Sequence, residues 1–380
     1  MTSRDWFASL TGFAEGDYES TQARLSVDGD ELVSSVNGKR YGIGELSLPT
    51  LADLRERVKI GDAGRSTVCC LVGDSRALHA DPEFAGALFQ VASQFNLLEM
   101  VSQHVTPEQG VTRYIDDPTQ GPACAVAAGA GTIYRNYLVP VGDEIGQARD
   151  RQLDTLADVG VALSELLSRP VTELWEMRNG YALCTVEGLR AIAALLDQAS
   201  VDQRDALRGE LAIGLHRNVE VTDATGDPRR SVSQAYCSAL PVAYSRIPSA
   251  QWGPFAQLVL EAAYEATLLS AAEQATAGGS STVLLTRVGG GAFGNAAEWI
   301  DAAIERALRI VERAGLDVRL VSYGGLDPSM QAIAQRWAGI CSAGVHDEDH
   351  RRPAANLGQI TMARVKDEQT VEDSSRWSRK

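Results

Sequence analysis

The sequence has 380 residues, 44% of them hydrophobic, so the chain is long enough to bury a sizeable core. Its formal net charge of −15 disfavours free nucleic acid and anionic membranes as partners, because both are repelled at long range. A basic-then-apolar leader and a run of about 18 apolar residues are both missing from the sequence. We therefore expect a soluble cytoplasmic protein.

The N-terminal residues 1–65 are predicted to form an extension to the main domain. Two alternating runs, followed by Asp-Gly and Asn-Gly turn signals, indicate a small antiparallel meander. After Pro49, the spacing of Leu51, Leu54 and Val58 places three apolar side chains on one face and predicts a helix.

From residue 66 onward, short apolar runs alternate with helical patterns. Strands are predicted at 66–72, 88–92, 233–244, 283–285 and 318–322, and helices at 123–131, 255–275, from about 296, and at 328–338. This alternation predicts a mixed sheet with helices on both faces. Residues about 145–225 are predicted to be a mainly helical insertion, and the polar residues 345–380 a flexible tail.

The six cysteines include no CxxC pair, and most lie in apolar, strand-like runs. This pattern is typical of buried, reduced thiols in a cytosolic protein. We therefore predict neither a disulfide framework nor a metal site from the cysteines.

The segment 282–308 combines a buried strand, a glycine-rich loop and a helix. Gly289, Gly290, Gly291 and Gly294 let the backbone approach a ligand closely, and successive N–H groups beside a helix N-terminus form an anion site. No Lys-Ser/Thr pair follows, which excludes a P-loop NTPase, and the spacing differs from the dinucleotide fingerprint. We predict a phosphate-binding loop, with a flexible turn as the alternative.

This loop, GGGAFGN, resembles the second phosphate loop of macro domains, a family that binds ADP-ribose. TVCCLVGDSRAL, FQVASQFNLLEM and SQAYCSALPVAY resemble other parts of the family and occur in matching order across residues 66–338. The resemblance implies a three-layer α/β/α, macro-domain-like mixed sheet over residues 66–344, with the N-terminal extension and the helical insertion added. It also implies binding of ADP-ribose or an ADP-ribose-containing ligand, with an ADP-ribosylated protein as a partner and with no cofactor or metal.

The resemblance implies roles for individual residues by position. Asp74 would accept a hydrogen bond from the adenine amino group, Asn96 would bind the distal ribose, and Tyr323 would stack on adenine. Each has a structural alternative, as a turn or core-edge residue. Backbone N–H groups of Gly290, Gly291, Ala292 and Gly294 would bind the diphosphate, and Phe293 would pack on the bend between ribose and diphosphate. Gly289 and Asn295 complete the ligand-binding loop. A glycine-rich first loop is missing after Asn96, and its nearest substitutes are Gln120 and Gly121.

Cleavage of an ADP-ribosyl bond needs a group that activates water or protonates the leaving group. Glu99, three residues beyond Asn96, is the candidate catalytic acid, and Asn96 would act with it; a surface carboxylate is the alternative. Arg135 pairs either a phosphate or a neighbouring carboxylate. Because the first phosphate loop departs from the family pattern, both a reader and an ADP-ribosyl glycohydrolase stay open.

Two functions from other classes are also consistent with the sequence. One is an enzyme acting on another nucleotide or an NAD-derived metabolite, with the insertion as a substrate lid. The other is a partner-binding protein that keeps the fold without the ligand.

Overall fold

The computed structural model describes residues 5–224, 226 and 229–337, so the predicted tail at 345–380 lies outside the described residues. The strands are β1 Leu25–Asp28, β2 Glu31–Ser34, β3 Arg40–Gly42, β4 Glu45–Ser47, β5 Thr67–Val72, β6 Leu88–Ala92, β7 Pro140–Val141, β8 Glu144–Ile145, β9 Trp175–Arg178, β10 Tyr181–Cys184, β11 Gly214–Glu220, β12 Ser231–Cys237, β13 Thr282–Leu285 and β14 Asp317–Ser322. The α-helices are α1 Trp6–Thr11, α2 Tyr18–Gln22, α3 Leu51–Arg57, α4 Ser75–Ala80, α5 Gln120–Ala127, α6 Gly129–Tyr137, α7 Ala157–Leu167, α8 Val171–Leu174, α9 Val186–Gln198, α10 Val201–Gly209, α11 Ser249–Thr276, α12 Ala297–Ile310 and α13 Pro328–Trp337. Among these helices, none is both long and apolar enough to cross a bilayer.

A seven-stranded sheet in the order β4-β11-β12-β6-β13-β14-β5 forms the centre of the described part of the chain. β4, β11 and β12 are antiparallel neighbours, whereas β12, β6, β13, β14 and β5 run parallel. Leu88 of β6 lies between Ser233 of β12 and Val283 of β13. The predicted mixed α/β sheet is therefore confirmed, and its five parallel strands all end at the same edge.

The sheet is buried on both faces because its parallel strands are mostly apolar. Val283 and Leu285 pack with α11 and α12 in one hydrophobic cluster, on one face. Phe89 and Leu284 pack with Leu78 of α4 on the opposite face. Helices on both faces give the three layers that the strand–helix alternation predicts.

The N-terminal segment contains the predicted meander, formed by β1, β2 and β3. β4 leaves the meander and pairs with β11, so that Leu46 lies opposite His216 at one edge of the central sheet. The predicted helix is α3. It begins after Thr50, whose side chain accepts a hydrogen bond from the backbone of Asp53 while the Asp53 side chain caps Thr50 in return.

Two segments differ from the predicted elements. The single small-residue helix predicted at 123–131 is two helices, α5 and α6, because the backbone breaks at Ala128 (φ −110°, ψ 56°). The segment 145–225 holds α7 to α10, but also the β9–β10 hairpin and the sheet strand β11. A register shift between His216 and Val219 interrupts β11, and this irregularity hides the period-two pattern from the sequence.

The cysteines depart from the prediction at one position. Cys69 is disulfide-bonded, whereas Cys70, Cys124, Cys184 and Cys237 carry free thiols. Burial raises the pKa of Cys237 to about 11 and that of Cys124 well above its usual value. These free thiols therefore stay protonated and unreactive at neutral pH.

An ion-pair network joins α3, α10, α11 and α12 around Glu265, which is 3% exposed. Arg55 donates to Glu265 from Nε (2.6 Å) and Nη2 (2.9 Å), Arg306 pairs with its second oxygen, and Asp205 pairs with both arginines. We expect Glu265→Gln to lower the free energy of unfolding by about 2 kcal/mol, since two guanidinium groups then share one neutral amide. Urea denaturation measures this loss. The exposed Glu165→Gln is the control, and equal stability of the two variants would contradict the expectation.

Candidate functional site

Four of the residues predicted to bind ligand follow parallel strands of the sheet. Asp74 follows β5, Asn96 follows β6, Gly289 follows β13 and Tyr323 follows β14. Because parallel neighbours end at the same edge, the fold places these four positions along one side of the sheet. Ligands of open α/β sheets bind outside the carboxyl ends of the strands, so this carboxyl edge is the candidate site.

The glycine loop, residues 289–295, joins β13 to α12. Gly289 and Gly294 have φ angles of +74° and +70°, which glycine adopts without a steric penalty. The backbone N–H groups of Gly291, Ala292 and Phe293 donate to no described residue. Three adjacent unpaired donors just before a helix are suited to binding phosphate oxygens.

Asn295 and Phe293 fix the shape of this loop. Asn295 Nδ2 donates to Leu240 O at 2.9 Å and to the carbonyl of the first loop glycine at 3.3 Å. Asn295 Oδ1 is buried and accepts no hydrogen bond from the part of the chain described. The Phe293 ring packs against Tyr181 and Tyr244, with centroids 5.2 and 5.5 Å away. The loop is therefore anchored to the β9–β10 hairpin through Phe293.

Asp74 and Tyr323 follow the neighbouring strands β5 and β14. Between them, Gly73 N donates a backbone hydrogen bond to Ser322 O at 3.0 Å. Asp74 Oδ1 caps α4 by accepting from the N–H groups of Arg76 (2.9 Å) and Ala77 (3.0 Å). Asp74 is exposed, and its Oδ2 accepts from none of the described residues. Tyr323 is 80% exposed. An exposed ring beside a carboxylate can stack on a nucleobase and accept its amino hydrogen.

Asn96 is fully buried, and its amide group already has hydrogen-bond partners. Its Oδ1 accepts from Leu98 N at 3.1 Å, and its Nδ2 donates to Gln152 Oε1 at 2.9 Å. The hairpin tip, residues 179–180, covers it so closely that a Cβ on Gly180 would lie 2.6 Å from Asn96 Oδ1. Asn96 therefore acts as a turn residue here, and its role at a ribose stays a prediction that requires the tip to move.

Glu99 lies in the core, with its side chain only 1% exposed. Arg135 Nη2 is 3.9 Å from Glu99 Oε2, but neither Glu99 oxygen accepts a hydrogen bond from a described residue. Burial raises the pKa of Glu99 to about 8, with Arg135 opposing the shift. Arg135 also stacks over the Tyr236 ring at 3.9 Å. Arg135 thus lies beside the carboxyl group of Glu99 in the core. The catalytic role of Glu99 stays a prediction for a group without solvent access.

Gln120 and Gly121 tie the start of α5 to the end of β6. Gln120 Oε1 accepts from Ala92 N, and Gln120 Nε2 donates to Gln90 O, both at 2.9 Å. A Cβ on Gly121 would lie 2.0 Å from Ala92 O and 3.0 Å from Glu99 Cγ. A cavity of about 10 Å³, room for one water molecule, lies beside Gln120. Gln120 and Gly121 thus pack against the end of β6, and their role at a ligand stays a prediction.

Two parts of this edge are not among the residues predicted from the sequence. One is the hairpin tip over Asn96, although an Asn-Gly pair between two strand-like runs at 175–184 is a strong signal for a tight hairpin. The other is Arg287, which donates to Asp301 Oδ1 at 2.6 Å and to Ser329 Oγ at 2.5 Å. Arg287 thereby links the base of the glycine loop to the segment that follows β14, and no motif marks it in the sequence.

Comparison with known proteins gives structural neighbours only. No family model and no curated protein matches the sequence. Structural neighbours of the chain are poly(ADP-ribose) glycohydrolases. The enzyme from Thermomonospora curvata is 13% identical, with 89% of this chain and 100% of that chain covered and a TM-score of 0.41. The enzyme from Deinococcus radiodurans in complex with ADP-ribose is 14% identical, with 76% and 92% covered and a TM-score of 0.37. Scores this low assign no family, so the function is inferred below from the chain's own residues.

Proposed function

We propose that the protein binds an ADP-ribose-class nucleotide across the carboxyl edge of the sheet. The observation that carries this proposal is the row of unpaired N–H donors at Gly291, Ala292 and Phe293, which suits a diphosphate. The exposed Tyr323 ring and the Asp74 oxygen without a described partner suit an adenine. β13 and β5 are two strand spacings apart, roughly 10 Å, which is a fitting distance between a diphosphate and its base.

The proposed activity is binding without hydrolysis. Neither of the two predicted catalytic residues, Glu99 and Asn96, reaches solvent. Glu99 is buried together with Arg135, and the hairpin tip covers Asn96. A hydrolase needs such a group within hydrogen-bond reach of the reacting atoms or of one water molecule. A protein that binds the nucleotide and leaves it intact would recognise ADP-ribosyl groups on modified proteins.

We expect Gly291→Glu to weaken ADP-ribose binding at least about 100-fold, because it places a carboxylate where the diphosphate would lie. A Cβ on Gly291 meets no atom within 4 Å, so the substitution should leave the fold intact. Isothermal titration calorimetry measures the affinity. Gly61→Glu is the matched control, because Gly61 also has open space around its Cβ and lies away from the edge.

Three outcomes would contradict the proposal. Wild-type protein that gives no heat with millimolar ADP-ribose would rule out the ligand. Equal affinity of Gly291→Glu and Gly61→Glu would rule out the glycine loop as the phosphate site. Release of free ADP-ribose from a modified protein by wild type, but not by Glu99→Gln, would show hydrolysis instead of binding alone.

A further inference from the structure

A cavity of about 530 Å³ lies beside the β9–β10 hairpin. Residues from three segments, 103–106, 149–154 and 176–179, line it, and we call it the hairpin cavity. Its volume is that of a small-molecule site, which is commonly about 300–1,000 Å³. None of the residues predicted to bind or cleave ADP-ribose lines it.

A chain of hydrogen-bonded amide groups runs from Asn96, outside the lining, into one wall of the hairpin cavity. Asn96 Nδ2 donates to Gln152 Oε1 at 2.9 Å, Gln152 Nε2 donates to Asn179 Oδ1 at 2.9 Å, and Asn179 Nδ2 donates to Gln103 O at 2.7 Å. The last member has an unused acceptor, because Gln103 Oε1 is buried and has no hydrogen-bond partner among the described residues. This wall is preorganised, because hydrogen bonds between neighbouring groups hold each amide in place.

The charged residues of the hairpin cavity differ in whether they are already paired. Arg178 forms a two-pronged contact with Glu176 at 2.8 and 3.0 Å, and Arg151 pairs with Glu144 outside the cavity. The Arg149 guanidinium forms no ion pair within 4.0 Å and no side-chain hydrogen bond with the rest of the described chain, although Glu108, which accepts from Arg149 N, attracts it at longer range. A guanidinium without a closely paired carboxylate at the wall of a polar cavity is suited to a phosphate or carboxylate.

The remaining lining residues narrow the class of ligand. Asp150, Asp154 and Glu176 balance the three arginines, so a bare anion gains little from the overall field. Carboxylates and amide oxygens accept hydrogen bonds from hydroxyl groups, and Leu153 and Met177 are the only apolar residues in the lining. We infer that the hairpin cavity is a second ligand site, for a sugar phosphate whose phosphate contacts Arg149 and whose hydroxyls contact the amides and carboxylates.

This inference is independent of the proposed nucleotide site. The hairpin tip separates the two: Asn179 lines the hairpin cavity, while Tyr181 packs against Phe293 of the glycine loop. Gly291→Glu should therefore leave binding in the hairpin cavity unchanged. Failure of ADP-ribose binding would not affect the result expected here.

Calorimetry of the full chain with ribose 5-phosphate tests the inference, with ribose and inorganic phosphate as comparison ligands. We expect ribose 5-phosphate to bind at least about tenfold more tightly than either, and Arg149→Gln to weaken it about tenfold, the effect of losing one charge-assisted contact. Arg149 is exposed, so its substitution should not affect folding. Arg190→Gln, at an exposed arginine of α9, is the matched control and should bind like wild type.

Each other outcome would overturn part or all of the inference. No heat with ribose 5-phosphate at millimolar concentration would rule out the site. Binding that survives Arg149→Gln would place the ligand elsewhere. Equal affinity for inorganic phosphate and ribose 5-phosphate would rule out a role for the sugar hydroxyls.

Discussion

Glu99→Gln is expected to be more stable than the wild-type protein at about pH 9 and equally stable near pH 5. Burial raises the pKa of Glu99 to about 8 in the folded protein, against 4.5 for a free side chain. Between these values the folded state holds a proton that the unfolded state has lost, so wild-type stability falls as pH rises through this window. Glutamine resembles the protonated form at every pH. The free energy of unfolding of Glu99→Gln should therefore equal that of wild type near pH 5 and exceed it by at least about 2 kcal/mol at about pH 9.

Two buried histidines also titrate, in the opposite direction. Burial lowers the pKa of His79 to about 4 and that of His216 to about 3. The stability that these two neutral side chains contribute to the folded state is therefore complete above pH 6.5 and is lost as pH falls. Both histidines are present in both proteins, and above about pH 6.5 both are neutral in the folded and the unfolded state, so the growth of the difference at higher pH is due to Glu99. Urea unfolding from about pH 5 to 9 measures that difference, with the exposed Glu165→Gln as the control. A Glu99→Gln difference that does not change with pH would contradict an ionisable carboxyl in the core.

Much of the fold follows from patterns that the chain carries locally. β5, β6, β13 and β14 are predicted because apolar, β-branched runs between turn residues suit buried strands, and all four are present. α3 is predicted from apolar spacing and a helix start signal, and α12 from its place after the glycine loop. β11 was missed because its pairing depends on partners far away in sequence and because a register shift breaks its alternation.

The candidate site likewise has parts that could be predicted from the sequence and parts that could not. The glycine loop and the strand ends at Asp74 and Tyr323 were predictable, since glycines and parallel strands fix where a backbone can accept a ligand. The burial of Glu99 was not predictable, because its spacing from Asn96 does not indicate which side of the turn faces the core. That orientation is set by packing: a Cβ on Gly121 would lie 3.0 Å from Glu99 Cγ, which places α5 directly against the Glu99 side chain.

Sequence patterns indicate where the hairpin tip lies along the chain, but not what it packs against in the fold. The Asn-Gly pair indicates a turn, and Asn179 and Gly180 adopt the expected left-handed φ angles of 48° and 76°. Hairpin turns usually lie in solvent. Here Gly180 is buried, and its carbonyl accepts from Phe95 N at 3.0 Å. Only contacts across the fold determine that this turn covers Asn96.

Gly180→Ala should dislodge this tip and lower the free energy of unfolding by about 3 kcal/mol. Alanine adds a left-handed strain of about 1 kcal/mol, and its Cβ would lie 2.6 Å from both Asn96 Oδ1 and Gln94 Cβ. Gly142→Ala is the matched control, because Gly142 has a φ of +60° but no atom within 4 Å of an added Cβ. The difference between the two variants isolates the contacts with Asn96 and Gln94. Similar losses for both would show that the tip presses on neither residue.

The same variant decides whether Asn96 can serve a ligand. If the tip only stabilises the turn, trypsin should cleave Gly180→Ala faster after Arg178 while ADP-ribose affinity stays that of wild type. If Asn96 contacts the ribose once it is uncovered, affinity should rise even though stability falls, because the wild-type protein must displace the tip before it binds. Adding Asn96→Ala to Gly180→Ala should then abolish the gain. A gain in affinity that survives this second substitution would exclude Asn96 from the ligand site.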